Sequence, residues 1–589
     1  MAATLFTAGW PWSIVRVLQI TGVTQSMPLN RRDVLTAGLA SSLLGSMSAI
    51  AQTRSRGKGQ DRPNILWLTS EDNNPFLGCY GDKLAHTPNI DALARKGILY
   101  KNAFCTGPVC GPARHSILTG FYPEQLRAGG LPEGYRIYPQ ILRDAGYFVT
   151  NNWKTNWPAR IPDSVMDEVG THAQWYHRPE GKPFMAIYND MRTHESQIFF
   201  NTVGRIRPDQ VRVPAYLPDV PEVRSLIASY YNRMEMMDQG VGDRLVQLES
   251  AGVADDTIVF YYSDNGGVWP RSKRMSTDTG YRCPLVIYVP PKWQHLTGTR
   301  PGTVVETPVT WVDLAPTLLS LINVPMPKEA PGRALFGPLA GKPEKYAFGS
   351  RQEWDEVVQC SRTVCDGRYR YTRNYIPNRA MGAHDGFPWR SPGYQAWERE
   401  FRAHRTNVLQ SRFWDADHRP FEELYDLKAD PDESTNLVDK SEHAAKLKEL
   451  SSAMDQHMLD IVDNGFAMVG MRACGWVPAR DPKLYPLPRL MDVARMAALR
   501  DEKNVEALKA GLADDNECIR YWSAQGLCAL REKAAPAHAE LLKAMNSDAS
   551  PFVQTLAAET LGHLGDGDAG TKRMIAMLDD AKLPINLQV

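Results

Sequence analysis

Four short apolar runs constrain the fold of this chain more than any other feature. Residues 64–69, 184–189, 257–263 and 285–289 have the length and residue types of buried strands. Between them lie amphipathic patterns of helical length, notably 222–250 and 310–322. Thr87-Pro88-Asn89 opens another helix, with Thr87 as N-cap, Pro88 at the first position and Gly97 as the stop. Strands alternating with such helices predict an α/β domain: a large mixed, mostly parallel sheet sandwiched by helices. In sheets of this kind, sites form just past the carboxyl ends of strands. Glu71 and Asp72 follow the first run, and Asp264 and Asn265 follow the third.

The texture changes twice further on. Residues 345–465 are aromatic, Arg-rich and broken into short runs, as in a smaller C-terminal α+β subdomain. From 485 to 589 the chain becomes Ala/Leu-rich and helical. Leu508-Lys509-Ala510 and Leu541-Leu542-Lys543 lie 33 residues apart, Ala524-Gln525-Gly526-Leu527 and Ala558-Glu559-Thr560-Leu561 lie 34 apart, and Met574–Leu578 begins a third copy. That period predicts a HEAT-like helical repeat segment packed on the preceding domain, with a plain helical bundle as the alternative.

The N-terminus reads as an address. Arg31-Arg32 precede a charge-free small and apolar run that ends in Ala49-Ile50-Ala51, the layout of a twin-arginine export signal over 1–51 with a true start at Met27. An uncleaved anchor is the alternative. A basic link, 52–62, follows, and no later segment is long and apolar enough to span a bilayer. The expected location is periplasmic or secreted.

Lys+Arg and Asp+Glu both number 67, so bulk charge gives no reason to expect nucleic acid as a partner, and anions must be bound by a local cluster. Nine cysteines are too few and too scattered for a disulfide scaffold. Cys360 and Cys365 are read as thiols, with a small-loop disulfide as the alternative.

The segment Gly107-Pro108-Val109-Cys110-Gly111-Pro112-Ala113-Arg114 places Cys110 in a tight turn before a helix over about 113–119. A helix N-terminus offers free N–H groups to an anion, and Arg114 returns to the same face one turn on. A buried cysteine in a Pro/Gly turn fits the spacing equally well.

Cys110-x-Pro112-x-Arg114, followed by Leu118-Thr119-Gly120, closely resembles the signature of type I (formylglycine-dependent) sulfatases, of the alkaline-phosphatase-like superfamily. The resemblance runs in order from about 62 to 465, through the first run with Glu71-Asp72, Tyr80-Gly81-Asp82, Thr87–Leu93, Ser263-Asp264-Asn265-Gly266, Asp313–Leu319 and Glu423–Leu427. It implies a catalytic domain over 52–344 and a C-terminal subdomain over 345–465. It also implies oxidation of Cys110 to formylglycine by a formylglycine-generating enzyme, whose hydrated aldehyde is the nucleophile.

A metal set of Glu71, Asp72, Cys110, Asp264 and Asn265 follows from the resemblance. The four strand-end residues offer only oxygen, which suits calcium or magnesium rather than zinc, and the resemblance implies one calcium ion. Glu71 stands where most relatives carry Asp. Lys154 and Lys273 fall on sulfate-contacting lysines, with Arg271 and Arg274 crowding the same loop as Lys273. Asn156 replaces a histidine that relatives use to activate or reset the nucleophile, and His115 is the speculative substitute. His194 falls on the residue that protonates the leaving alcohol, work that an imidazole suits because its pKa lies near neutral and neighbouring anions raise it.

The implied mechanism has the metal and Arg114 holding the diol, one hydroxyl attacking sulfur, the metal, Lys154 and Lys273 stabilising the sulfuryl charge, and His194 releasing the alcohol. The expected reaction is release of inorganic sulfate from a sulfated carbohydrate or other organic sulfate. A phosphoester or phosphonate monoester hydrolase of the same superfamily, and a catalytically weak sulfated-glycan-binding protein, are the alternatives. Trp153, Trp157, Trp175 and Trp389 are candidates for stacking on sugar rings or for the core.

Overall fold

The computed structural model describes residues 62–127, 130–157, 161–354 and 357–578, so the segment expected to be an export signal, with its expected cleavage site, and nearly all of the basic link lie outside the described residues. The large sheet is built from β1 (Asn64–Ser70), β2 (Ile98–Tyr100), β3 (Phe148–Asn152), β4 (Glu168–Val169), β5 (Phe184–Asp190), β6 (Thr257–Ser263), β7 (Leu285–Tyr288) and β8 (Thr303–Val305). Their order is β8-β2-β7-β6-β1-β5-β3-β4. β7 pairs antiparallel with both its neighbours, and every other pairing in the sheet is parallel.

The apolar runs are continuous because both faces of the sheet are covered. Ile65 and Trp67 of β1 enter one core with Met185, Ile187, Ile258 and Phe260, below helix Cys110–Thr119 and helix Leu314–Ser320. Leu66 and Leu68 point the other way, into a core with Ala186, Val259 and the 30-residue helix Pro221–Ser250. This alternation is the period-2 geometry of a strand.

Register sets the site. Ser70 pairs with Asp190 on one side and Ser263 on the other, and Asn152 pairs with Tyr188. The chain segments leaving β1, β6, β5 and β3 therefore emerge side by side at one edge of four adjacent parallel strands.

Several local expectations need correction. The helix carrying Cys110 begins at Cys110 itself and runs to Thr119, because a proline at position 112 is tolerated in a first turn, where a missing N–H breaks no bond within the helix. Thr87 precedes helix Pro88–Lys96, but its hydroxyl bonds Asp91 and the Gly78 N–H instead of capping that helix. The expected helix over 310–322 is a 3-10 turn, Trp311–Asp313, followed by helix Leu314–Ser320. All nine cysteines are free thiols, Cys360 and Cys365 included.

A second sheet of four antiparallel strands, Ala347–Arg351, Ser361–Cys365, Tyr369–Asn374 and Glu422–Asp426, packs with helix Ala444–Asp460. Its core is continuous with the C-terminal helices: Tyr371, Leu424 and Phe466 belong to the same apolar cluster as Trp522, Ala524, Leu527, Leu541, Ala558 and Leu561. Trp522 Nε1 also donates to the Phe466 carbonyl at 2.8 Å. Among the described residues, no helix is long and apolar enough to cross a membrane.

Candidate active site

At the carboxyl edge of β1 and β6 the chain concentrates buried charge. Carboxylate oxygens of Glu71, Asp72 and Asp264 and the Sγ of Cys110 lie within 4.8 Å of one another, all from buried residues. Asp72 is held in the left-handed region (φ 49°), its N–H donating to Asp264 at 3.1 Å and its carbonyl accepting from the Tyr230 hydroxyl of the long helix at 2.8 Å. Trp311 Nε1 donates to the Asp264 carbonyl at 2.6 Å. One strand end is thus fixed by the long helix and the other by the 3-10 turn Trp311–Asp313. Backbone held in this region is costly, and such strain collects at functional sites.

Arg114, one turn from Cys110 on the same helix face, donates to Glu71, to Asp264 at 3.1 Å and to Asn189 Oδ1 at 2.7 Å. Burial alone would lower its pKa, but Glu71 and Asp264 outweigh burial and hold the guanidinium ionised. Lys154 Nζ donates to Glu71. Lys273 Nζ lies 3.2 Å from Cys110 Sγ, 2.8 Å from Asp72 and 3.0 Å from Glu195. Both lysines resist the downward pull of burial: the Glu71 and Asp264 carboxylates raise Lys154, and those of Asp72 and Glu195 raise Lys273. Burial would raise Glu71, yet Arg114 and Lys154 bring it down to about 2.

The cation expected here is tested by the donors present. Asn265 Oδ1 is buried without a hydrogen-bond partner, while its Nδ2 sits 2.9 Å from Asp72 and 2.8 Å from Asp264. An amide nitrogen between two carboxylates fills the position of a cation, and exchanging the amide ends would turn the orphan oxygen toward it. The hard oxygen donors fit a divalent ion such as calcium or magnesium. Five carboxylates, Glu71, Asp72, Asp264, Glu195 and Asp385, face four cations, Arg114, Lys154, Lys273 and Arg274, so a divalent ion would turn a net negative site positive and suit it to an anion.

Burial, followed by Asp264, pushes the Cys110 thiol well above its ordinary pKa despite the two lysines. An unmodified, neutral thiol is a poor nucleophile.

A ring nitrogen of His194 lies within 4.8 Å of Cys110 Sγ and a Glu71 oxygen. The Ser196 N–H donates to His194 Nδ1 at 3.3 Å, so the proton of the neutral ring sits on Nε2. The expectation that neighbouring anions raise this histidine is not met. Burial and Lys273 lower it, against opposing pulls from Asp72 and Glu71.

The other sequence candidates separate. Arg274 is bidentate to Glu195, at 2.7 and 2.9 Å, and faces Asp385 at 3.5 Å. Arg271 turns away to the carbonyls of Asp432 and Glu433. Asn156 is exposed and left-handed (φ 45°). His115 lies about 140° round the helix from Cys110. Its Nε2 is buried without a partner, and burial lowers its pKa to about 4, so it is not the expected substitute. Trp175 and Trp389 are buried in the core around the long helix, Trp157 packs partly against the other core, and Trp153 is exposed beside Lys154. The sequence reading assigned no role to Glu195 or Asn189. Glu195 fastens Lys273 and Arg274, and its N–H donates to Asp72 at 2.8 Å. The one available signal for both was a polar residue at or just past the end of a parallel strand.

A family model described as Sulfatase matches residues 63–324. Over 459 residues the chain is 31% identical to an ulvan-active sulfatase of Formosa agariphila, covering 69% of this chain and 76% of that protein. It is 28% identical over 454 residues to N-sulphoglucosamine sulphohydrolase of Homo sapiens, covering 66% and 88%. Among solved structures, a 2-O GAG sulfatase superposes with a TM-score of 0.51 at 20% identity, covering 69% of this chain and 93% of that one. The phosphonate monoester hydrolase of Agrobacterium radiobacter reaches 0.50 at 17%, covering 69% and 97%. At these identities the structural likeness speaks for the fold alone.

Proposed function

Because the chain belongs to the sulfatase family and is on that ground a sulfuric ester hydrolase, we propose that it releases inorganic sulfate from sulfated carbohydrates, using a nucleophile made from Cys110. The observation that carries the reading is the approach of Lys273 Nζ to Cys110 Sγ at 3.2 Å, beside three carboxylates. A fixed cation next to the nucleophile binds a sulfuryl group and opposes the charge that develops on it.

A formylglycine-generating enzyme, with an external oxidant, would convert Cys110 to formylglycine, and hydration of that aldehyde would supply the attacking hydroxyl; the second hydroxyl of the diol would then expel sulfate as the aldehyde re-forms. Glu71, Asp72, Asp264 and Asn265 would hold a calcium ion, which would supply positive charge at the sulfuryl oxygens. Lys273 and Lys154 carry the remaining positive charge, and Arg114 keeps Glu71 and Asp264 in place. As the bond from sulfur to the ester oxygen breaks, His194 in its imidazolium form delivers the Nε2 proton to that oxygen and is left as the neutral ring, and the alcohol leaves. The carbohydrate class is supported by relatives whose names are those of an ulvan-active sulfatase and N-sulphoglucosamine sulphohydrolase.

The same proposal divides the chain into a catalytic domain (52–344), a C-terminal subdomain (345–465) and HEAT-like helices (485–589) behind an export signal (1–51), acting in the periplasm or outside the cell. The test is peptide mass spectrometry of the Cys110 segment after co-expression with a formylglycine-generating enzyme, with sulfate release measured on a panel of sulfated sugars. Aldehyde at position 110, and activity that Cys110→Ala abolishes, are expected. An unmodified cysteine, or turnover of phosphonate and phosphate esters with none of sulfate esters, overturns the reading.

A further inference from the structure

The strap 384–390 carries an arginine that the site described above does not use. Arg390 is exposed and makes no ion pair among the described residues. Its guanidinium carbon lies 4.9 Å over the ring of Phe199 and 5.8 Å over that of Phe387. These rings meet each other at 5.2 Å, and Phe387 stands 6.5 Å from the imidazole of His194. A cation is therefore held on an aromatic shelf beside the group assigned to the leaving alcohol.

The strap is fastened to the catalytic wall. The Asp385 carboxylate accepts the Phe387 N–H at 3.1 Å and faces Arg274 at 3.5 Å, and Arg274 is bidentate to Glu195, the neighbour of His194 in the chain. Outward from it runs an open groove of about 780 Å³, lined among others by His384, Trp389 and Arg390. The groove's other two arginines are engaged, Arg399 with Glu222 at 3.0 Å and Arg402 with Glu398 at 2.6 Å. Arg390 is the groove arginine left to meet a ligand, and stacking limits the entropy it loses on doing so.

If His194 protonates the ester oxygen of a sulfate seated against Lys273 and Cys110, the sugar that leaves lies on the His194 side, where Phe387 is the adjoining ring. We propose that Phe387 and Arg390 form a subsite for that sugar, with the half-exposed ring of Phe387 against its apolar face and Arg390 binding a second negative charge on it, a carboxylate or a second sulfate. This rests on the sulfate-ester reading above. Its consequence is a preference for polyanionic glycans over sugars bearing a single sulfate.

The test uses the full-length Cys110→Ala protein, which binds without turnover, titrated calorimetrically with three sulfated disaccharides. In these the sugar bearing the sulfate carries no other charge, a carboxylate, or a second sulfate. Arg390→Ala should cut the preference for the two doubly charged ligands over the singly charged one by about ten- to a hundredfold, and Arg390→Lys should keep part of it. The carboxylate and disulfate arms tell which anion the subsite reads. An unchanged preference in Arg390→Ala, equal weakening of all three ligands, or no binding of any overturns the subsite. Sulfate release by the matured enzyme is read separately. If it is intact and Arg390 changes nothing, the subsite alone falls; if it is absent from every ester while Arg390-dependent binding persists, the sulfatase reading falls instead.

Discussion

The Nζ of Lys273 lies 3.2 Å from the Sγ of Cys110. The lysine keeps its charge although fully buried, because the carboxylates of Asp72 and Glu195 lie against it. A donor already fixed next to the nucleophile costs no reorganisation when charge develops on a sulfuryl oxygen. Lys273→Met should therefore lower kcat of the matured enzyme by about 10²- to 10³-fold, with a smaller change in KM. Steady-state kinetics on a sulfated sugar checks this, and a kcat within tenfold of the parent would remove Lys273 from the machinery.

Three carboxylates share one buried spot, and the Asn265 amide lies against two of them. Chelation should abolish sulfate release, and calcium should restore it. Because an ion that binds the folded state alone stabilises by RT ln(1 + [L]/Kd), calcium at a hundred times its Kd should add about 2.7 kcal/mol. Differential scanning calorimetry of chelated and calcium-loaded protein would read this as a higher Tm. Equal Tm and full activity after chelation would mean that these carboxylates hold no cation.

Much of the fold and of this site was legible because β1 and β6 are buried on both faces and so read as unbroken apolar runs, while the register that aligns Ser70 with Ser263 puts the polar residues of both runs at one level. Cys110 and Arg114 were legible through a motif, although Gly111 and Pro112 disguised the first helical turn as a loop. Glu195 was not. Its meaning depends on Lys273 and Arg274, nearly eighty residues away, and local pattern carries no record of where a chain returns. The same holds for Asp385 against Arg274, and for Phe387 against His194. The rotation of Arg271 away from the cluster is a matter of tertiary partners, the Asp432 and Glu433 carbonyls, that no spacing rule supplies.

Trp522 joins the C-terminal helices to the four-stranded sheet. It is 1% exposed, donates to the Phe466 carbonyl at 2.8 Å and meets the rings of Phe466 and Tyr375 at 5.7 and 6.3 Å. Trp522→Ala should cost about 3–5 kcal/mol, read as a lower midpoint in urea unfolding. Truncation before Leu487 should give insoluble protein, since it uncovers the core that these helices share with Phe466 and Tyr371. A soluble truncated protein with parental Tm would make the helices an independent appendage.

His457 lies against Phe348, ring on ring at 3.8 Å and 3°, with its Nε2 buried and unpartnered. Burial lowers its pKa to about 3, and that of His115 to about 4. A group depressed in the folded state contributes stability above its unfolded pKa, near 6.5, and loses it as pH falls toward the folded value. Two buried glutamates act oppositely. Burial raises Glu124 and Glu433 to about 7, so the folded state gains from proton uptake between pH 7 and the ordinary glutamate range. The two pairs offset each other down to about pH 4.5. Below that the histidine term runs unopposed, at about 1.4 kcal/mol per pH unit for each ring. Glu71, with a folded pKa of about 2, adds to the loss. Stability measured by urea unfolding should therefore change little from pH 6.5 to 4.5 and fall steeply below. His457→Phe keeps the stack and removes the ring that must stay neutral, so it should shift the acid midpoint downward and flatten the slope between pH 4.5 and 3. An acid limb unchanged by His457→Phe would show that His457 is not among the groups whose protonation unfolds the chain.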